Sequence, residues 1–278
     1  DRKFLQFPAL LTKIRQGKIM IKPRPLSKEK AMKDPLLKKS RRRKKHWLRW
    51  GINLLDRIRR VKDKIDSALK KSNRGDSVTI VAATKTRHPK TVEMCIRNGI
   101  VDIGENRVQE AVKKFNTIEP ELVYTKRMIG HLQTNKINKA LRVFDTIDSV
   151  DSLRIAKQLV KKLKHNKRQL FVLLEINTSG DKTKFGFDPN NDQDMLESIA
   201  LDEIIVGGLM TVGPASQEKE STSKAFARLR KIKENINRQV VRDKKLTVLS
   251  MGMSNDFELG IYQGSTMVRL GTALFGPR

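Results

Sequence analysis

Short apolar segments alternate with helix-forming segments along most of this 278-residue chain, and this alternation limits the possible folds more than any other feature. Eight segments have the length and residue types of buried strands: 78–84, 101–105, 127–130, 144–148, 170–177, 204–210, 246–252 and 267–271. Seven helical patterns separate them. This order predicts an α/β fold with parallel strands, most simply a single (β/α)8 barrel. A doubly wound open sheet is the competing arrangement, which periodicity does not exclude.

A further helix is predicted before the first strand. Apolar residues in the stretch INLLDRIRRVKDKIDSALKK recur at intervals of three and four: Ile52, Leu55, Ile58, Val61, Ile65 and Leu69. The turn sequence NRGD follows this pattern and ends the helix. We therefore assign residues 51–278 to the barrel and treat residues 1–50 as a separate segment.

The barrel prediction says where a functional site should lie, because the active sites of (β/α)8 barrels form at the carboxyl ends of the strands. Positions that end or follow the predicted strands should therefore converge on one mouth: Lys85, Asn106, His131, Asn177, Met210, 250–254 and 269–272. They come from distant parts of the sequence, so only the fold can bring them together.

The chain is strongly basic. Its 59 Lys and Arg residues outnumber its 30 Asp and Glu residues, which gives a net charge of +29. Residues 1–50 hold 18 of the cations and 3 of the acids, so about half of the excess charge lies in this segment. A charge of this size favours phosphate-rich partners, nucleic acid above all.

Residues 1–50 show no sustained helical or strand periodicity, so we predict an extended basic arm. The run KKSRRRKKHWLRW carries the residues best suited to phosphate contacts: Arg41, Arg42, Arg43, Lys44, Lys45 and Arg49. A solvated tail or an organellar import segment is the alternative, because transit peptides are also basic and poor in acids.

Cysteine and histidine usage excludes several classes of protein. Cys95 is the only cysteine, so an internal disulfide is impossible and a cysteine-based metal site is implausible. The four histidines show no metal-ligand spacing, and we predict no metal site. No stretch approaches the roughly 18 apolar residues of a membrane span, and the first residues lack the apolar core of a secretory signal. We therefore expect a soluble protein.

Three features could carry chemistry. Lys85 directly follows an apolar strand, where partial desolvation would free its amine for a Schiff base, although a solvated strand end is the plainer explanation. The segments SMGMS and RLGT form the ends of the last two strands and offer glycines, hydroxyls and amides that suit a phosphate, although glycines also serve tight turns. Arg269 lies inside the last strand, and a ligand could supply the acceptor that a buried arginine needs.

Two other positions have structural as well as functional explanations. Asn106, in GENRVQE, could line the mouth or could cap the helix that follows it. His131, in IGHLQTNK, could be a catalyst or a structural histidine with satisfied hydrogen bonds.

Seven segments together resemble a known family: VAATKT, DIGENRVQE, IGHLQTNK, TIDSVDS, INTSGDKTKFGF, GGLMTVG and SMGMSNDFELGIYQGSTMVRLGTALFG. From about residue 52 to the last residue, their order and spacing are similar to those of the pyridoxal phosphate homeostasis proteins, which bind pyridoxal 5'-phosphate (PLP). The fold of that family is similar to the N-terminal barrel domain of alanine racemase, which agrees with the barrel predicted above.

The resemblance implies a set of cofactor-binding residues. Lys85 would be the Schiff-base lysine, Asn106 would lie beside the cofactor ring, and Arg269 would hydrogen-bond the pyridine nitrogen. The last two loops would cradle the phosphate, and the residues concerned would be Ser250, Ser254, Gly271 and Thr272, with Met253 in the same loop.

The resemblance also implies a non-catalytic role. An arginine keeps its proton, so it would leave the pyridine nitrogen unprotonated and make the ring a poor electron sink, which disfavours transamination. Members of the family are thought to carry and buffer PLP, and amino-acid racemisation is the less favoured alternative.

The chain departs from that family's pattern in three places. Lys126 and Arg127 stand where the family has an aromatic residue and a histidine, which bears on any activity at the mouth. The helical segments are unusually basic, and residues 1–50 have no counterpart. These features favour docking into an RNA-rich assembly, with a ribosome of the mitochondrial matrix as the leading case and ribosomal RNA and proteins as partners. A free-standing, cytoplasmic PLP homeostasis protein is the alternative.

Overall fold

The computed structural model describes residues 41–164, 168–181, 183–214, 216 and 218–277, and the first element of this described part is helix α1, Arg41–Lys71. For residues 41–50 and Ile52 it describes the backbone alone, and residues 1–40 of the predicted arm lie outside the described residues. The predicted extended conformation is wrong for residues 41–50, which are helical. This stretch has no proline or glycine, and its Lys, Arg and Leu residues lose little side-chain freedom in a helix.

Eight parallel strands close into a barrel, and each strand pairs with its neighbours in sequence order. Their bounds are β1 Thr79–Ala83, β2 Asp102–Glu105, β3 Thr125–Met128, β4 Thr146–Val150, β5 Leu170–Glu175, β6 Ile204–Met210, β7 Val248–Ser250 and β8 Met267–Leu270. The last strand pairs with the first, with Val81 beside Arg269. The predicted (β/α)8 barrel is confirmed, and its closure excludes the open sheet.

Helices surround the barrel and connect its strands. They are α2 Pro89–Arg97, α3 Val108–Phe115, α4 Ile137–Val143, α5 Leu153–Lys164, α6 Asp192–Ala200, α7 Lys219–Gln239, α8 Phe257–Tyr262 and α9 Thr272–Phe275. Each longer helix buries an apolar stripe, as α5 does with Ile155, Leu159 and Leu163. In the described part of the chain, no helix has the length and apolarity needed to cross a membrane.

The second half of α1 packs along the outside of the barrel. Leu54, Ile58, Val61 and Ile65 are buried, and Lys64 Nζ donates a hydrogen bond to Glu258 Oε1 of α8 at 2.8 Å. Leu55, which the periodicity placed on the apolar face, is instead 42% exposed. The apolar spacing that begins at Leu54 is the one that faces the barrel.

The interior of the barrel is packed with side chains. Val81, Leu173, Met210, Val248 and Met267 form an apolar cluster inside the ring of strands. Because this cluster fills the centre, a ligand has to lie at the carboxyl-end mouth rather than within the barrel.

Candidate functional site

A cleft of about 630 Å³ opens where β1, β2 and β3 end. Lys85 and Asn106 line it, as the sequence predicted for the mouth. The residues around the cleft are Lys85, Thr86, Asn106, Arg107, Val108, Gln109, Glu110, Met128, Gly130, His131, Gln133 and Lys136. Most of the ionisable groups among them are basic, so the cleft suits an anionic ligand.

Lys85 lies in the turn directly after β1 and is exposed. Val81 points into the barrel, and side chains alternate along a strand, so Ala83 at the end of β1 is on the inner face, and Lys85 lines the cleft. Thr84, between them, is completely buried. The end of β1 therefore directs the Lys85 amine to the mouth while its neighbour anchors the turn in the protein.

Asn106 follows β2 and is held against the loop after β3. A β-carbon at Gly130 would lie 2.6 Å from the Asn106 carbonyl oxygen, so only glycine permits this approach. Arg107, not Asn106, occupies the N-cap position of α3, and no side-chain hydrogen bond caps that helix. Asn106 is therefore not a capping residue, and its side chain lines the cleft.

His131 forms a hydrogen-bonded pair with a buried aspartate at the edge of the cleft. Its Nδ1 lies 2.7 Å from Asp151 Oδ2, and its ring stacks on Phe185 with centroids 3.6 Å apart. Ser152 Oγ donates to the other oxygen of Asp151 at 3.0 Å. The pair fixes the orientation of the imidazole, so both the structural and the functional explanation of His131 are compatible with the structure.

Arg269 lies on β8 and is almost completely buried, at 5% exposure. Its Nη1 donates to the carbonyl oxygen and to Oγ of Ser250, each at 2.8 Å, and its Nη2 donates to the carbonyl oxygen of Thr211 at 2.7 Å. Burial lowers the pKa of Arg269, and the carboxylates of Glu175, Asp148 and Asp256 oppose this effect. A guanidinium has five N–H groups, so these three bonds leave capacity for a further acceptor.

Glu175 ends β5 on the inner face of the barrel. It pairs in register with Met210, and Met210 pairs with Ser250, so the three side chains share that face. Burial raises the pKa of Glu175 to about 7, against the opposing effect of Arg269 and with a smaller contribution from Asp151 in the same direction. Glu175 therefore changes charge near neutral pH inside the barrel.

The loops after β7 and β8 are joined by one serine. Ser254 Oγ accepts hydrogen bonds from the backbone N–H groups of Gly271 and Ala273, at 3.1 and 3.0 Å. Gly252 adopts a φ of 101°, a conformation that favours glycine, and it turns the first loop towards the second. Met253, on the first of these loops, and Thr272, the first residue of α9, are exposed. Ser254 Oγ is thus the acceptor of both amides and holds the two loops together.

The predicted residues thus form two groups on adjacent strand ends. Lys85 and Asn106 belong to the cleft at β1–β3, whereas Ser250, Met253, Ser254, Arg269, Gly271 and Thr272 belong to the β7–β8 end and do not line that cleft. The pairing of β1 with β8 connects the two groups, since Val81 lies beside Arg269. The side chains predicted to contact nucleic acid, Arg41, Arg42, Arg43, Lys44, Lys45 and Arg49, lie outside the described part of the structure.

Arg127 was interpreted as a departure at the mouth, but the structure places it inside the barrel wall. Its Nε donates to Asp102 Oδ1 at 2.6 Å, and its Nη1 lies 3.1 Å from both oxygens of Asp148. Lys126 points away, with its Nζ over the ring of Tyr124. The third strand occupies Thr125–Met128, whereas the prediction was 127–130. The Lys126–Arg127 pair therefore belongs to the strand and not to the mouth.

Sequence reasoning also missed a buried charged cluster behind Lys85. Lys114 is 6% exposed, and Glu105 is fully buried. Lys114 Nζ contacts Glu105 Oε1, and Thr84 Oγ1 lies 2.5 Å from the same oxygen. A lysine in an amphipathic helix normally indicates a solvated position, so only the fold could reveal this pair.

The barrel is closed, Lys85 lies in the turn after β1, and Ser254 joins the loops after β7 and β8. This domain is of the alanine racemase N-terminal type. The sequence model of that family, Alanine racemase, N-terminal domain, matches residues 57–278. The alanine racemase of Clostridium difficile shares the fold at 18% identity, with a TM-score of 0.64 over 81% of this chain and 57% of that one.

Curated relatives define the family more narrowly. The pyridoxal phosphate homeostasis protein of Aquifex aeolicus is 35% identical over 229 residues, which cover 82% of this chain and 99% of the relative. The protein of the same name from Synechocystis is 36% identical over 203 residues, 73% of this chain and 92% of the relative. This chain belongs to the pyridoxal phosphate homeostasis protein family.

Solved structures agree with this assignment. A Bifidobacterium adolescentis protein described as unknown superposes with a TM-score of 0.77 at 35% identity, covering 81% of this chain and 96% of that one. PipY of Synechococcus elongatus, solved with PLP bound, superposes with a TM-score of 0.70 at 29% identity, covering 80% of this chain and 100% of PipY.

Proposed function

We propose that this chain binds PLP at the carboxyl ends of its barrel strands and carries it without catalytic turnover. The observation that carries the proposal is the buried guanidinium of Arg269, fixed on β8 beside β1, the strand that precedes the turn of Lys85. The family assignment and the PLP-bound structure of PipY support it.

The side chains present fit the three polar parts of PLP. The Lys85 amine suits the aldehyde, Arg269 suits the pyridine nitrogen, and the loops after β7 and β8, which Ser254 joins, suit the phosphate. Asn106 lies beside Lys85 and would contact the ring. When bound, PLP supplies an aldehyde that joins amines reversibly and a ring that withdraws electrons from them.

The surroundings of Arg269 support the non-catalytic part of the proposal, because they disfavour transamination. Ser250 and Thr211 hold the guanidinium in one orientation, and carboxylates nearby favour its charged form. An arginine does not donate its proton to a pyridine nitrogen, so the ring nitrogen stays uncharged and withdraws few electrons. Ser250 Oγ accepts from Arg269, and its predicted contact with the phosphate stays a prediction.

The test is the absorbance of PLP added to the purified protein. Wild type should show the near-ultraviolet to visible band of covalently held PLP, and Lys85→Ala should abolish it. Lys136→Ala is the matched control, because Lys136 lines the same cleft and should keep the band. Loss of the band in Lys136→Ala but not in Lys85→Ala would reassign the attachment site, and a colourless wild type would remove the proposal. A chiral assay for amino-acid racemisation tests the alternative activity.

We further propose that the basic surface docks this barrel into an RNA-rich assembly, with a ribosome of the mitochondrial matrix as the leading case. The support is electrostatic. Half of the net charge of +29 lies in residues 1–50, and α1 continues that charge with exposed cations along the barrel: Arg59, Arg60, Lys62, Lys64, Lys70 and Lys71. The alternative function is a free-standing PLP homeostasis protein, in which residues 1–50 are a targeting segment or a solvated tail. The cytoplasm is the alternative location.

Sedimentation with ribosomal particles tests the docking proposal. Binding should weaken steeply as salt rises, because the release of counterions from phosphates drives it. Deletion of residues 1–50, which removes the predicted phosphate contacts, should reduce co-sedimentation strongly, whereas Lys85→Ala should not affect it. Unchanged sedimentation after the deletion would contradict the proposal, and cell fractionation tests the compartment.

A further inference from the structure

Two side chains of helix α3 form hydrogen bonds with the backbone of the turn that carries Lys85. Lys114, in the last turn of α3, is buried, and its Nζ donates to the carbonyl oxygen of Thr84 at 2.6 Å. Glu110, one turn earlier, accepts a hydrogen bond from the backbone N–H of Thr86. Lys85 therefore lies between two residues whose backbones are each bonded to a side chain of the same helix.

The conformation of Thr86 requires such support. Thr86 has a φ of 65°, in the left-handed region that β-branched residues rarely adopt. Its backbone N–H, at one end of the N–Cα bond about which φ is measured, is bonded to Glu110. The Glu110 carboxylate thus stabilises a turn that the local sequence TKTR does not favour by itself.

The side chains of Lys114 and Glu110 also contact each other. Lys114 Nζ lies 3.2 Å from Glu110 Oε1 and also contacts Glu105 Oε1. Burial raises the pKa of Glu105 and the Lys114 ammonium opposes this effect, while the other oxygen of Glu105, Oε2, has no hydrogen-bond partner. An incompletely satisfied buried carboxylate is costly, so packing of α3 alone does not account for this arrangement.

We propose that Lys114 and Glu110 are positioning residues that fix the Lys85 amine for attachment of PLP. This inference rests on the proposed function. Lys114 fixes the backbone before Lys85, Glu110 fixes the backbone after it, and together they set the direction in which the lysine leaves the turn. A fixed attacking amine spends less of its time in unproductive orientations, so attachment is faster.

The experiment compares variants with a control on the same helix. Lys114→Met and Glu110→Ala each remove one bond to the turn, whereas Glu110→Gln keeps an oxygen that can accept from Thr86. Lys113→Met is the control, because Lys113 is the exposed neighbour of Lys114. Glu110 is partly exposed, so we expect Glu110→Ala to fold. This variant tests the proposal even if Lys114→Met does not fold.

Two readouts separate positioning from a purely structural role. The first is backbone hydrogen exchange of Thr86 in cofactor-free protein, which we expect to accelerate about tenfold or more in Lys114→Met and Glu110→Ala. The second is the rate of PLP attachment to Lys85, measured by borohydride trapping and peptide mass spectrometry. We expect this rate to fall about tenfold in the same variants and to stay near the wild-type value in Glu110→Gln and Lys113→Met.

The outcomes distinguish this inference from the proposed function. If wild type does not attach PLP but protects the Thr86 amide, the proposed function fails and the positioning role fails with it. The hydrogen bonds of Lys114 and Glu110 to the turn would still be present in solution. If wild type attaches PLP and both Lys114→Met and Glu110→Ala attach it at the same rate, only the positioning role is overturned. A Thr86 amide that exchanges freely in wild type would also overturn it.

Discussion

Replacing Glu175 with glutamine should stabilise the protein more at pH 8 than at pH 5. Glu175 ends β5 on the inner face of the barrel, and burial raises its pKa from 4.5 to about 7. Between these values the folded protein holds a proton that the unfolded chain has released, so stability falls as pH rises through this window. The glutamine side chain does not titrate and resembles the protonated acid in shape and charge.

The size of the effect follows from the two pKa values. One pKa unit corresponds to about 1.4 kcal/mol, so a rise from 4.5 to about 7 destabilises the folded state by up to about 3 kcal/mol once the carboxyl is ionised. At pH 5 about 1 kcal/mol of this penalty remains. We therefore expect Glu175→Gln to raise the free energy of unfolding by about 3 kcal/mol at pH 8 and about 1 kcal/mol at pH 5.

Urea unfolding followed by circular dichroism at the two pH values measures this difference. Glu197→Gln is the matched control, because Glu197 is partly exposed on α6 and its Oε1 lies 2.6 Å from Lys157 Nζ of α5. The control should change the free energy of unfolding by less than about 1 kcal/mol at either pH. A stabilisation by Glu175→Gln that does not depend on pH, or a loss of stability at pH 8, would mean that Glu175 is ionised without penalty as a partner of Arg269.

Three further predictions test the packing around the site. Gly130→Ala would place a β-carbon 2.6 Å from the Asn106 carbonyl oxygen. We therefore expect the free energy of unfolding in urea to fall by about 1–3 kcal/mol and PLP binding to weaken. Unchanged values would refute the close approach. Arg127→Met should cost about 3–5 kcal/mol, because it leaves Asp102 and Asp148 without their buried partner, and a loss no larger than that of Lys126→Met would contradict this. Burial raises the pKa of Cys95 to about 12, so a thiol reagent should label it only on unfolding, and rapid labelling of the native protein would be the contrary result.

The barrel could be predicted because strand and helix periodicity are local properties of the sequence. The predicted segment 204–210 coincides with β6, and all eight predicted segments overlap a strand. The third segment was displaced because Thr125 and Lys126 are polar, although Arg127 satisfies its charge inside the barrel wall. The start of α1 was missed because a dense run of cations was interpreted as a solvated arm. In both places a charged residue departs from the hydrophobic pattern that periodicity detects.

The candidate site was partly predictable because its residues follow strand ends. Lys85 and Asn106 lie together in the cleft, as expected for a barrel mouth. The hydrogen bonds of Lys114 and Glu110 to the turn could not be predicted, because both residues have the charge and spacing of an ordinary exposed helix pair. Their partners are backbone atoms of Thr84 and Thr86, and those positions depend on the closed barrel.

A crystal structure of this chain with PLP tests the central claim most directly. The account predicts a covalent bond between Lys85 Nζ and the aldehyde carbon, with an Arg269 nitrogen about 3 Å from the pyridine nitrogen and the phosphate against the Ser254 and Gly271 loops. PLP attached to another lysine, or lying in the cleft without contact to Arg269, would contradict it.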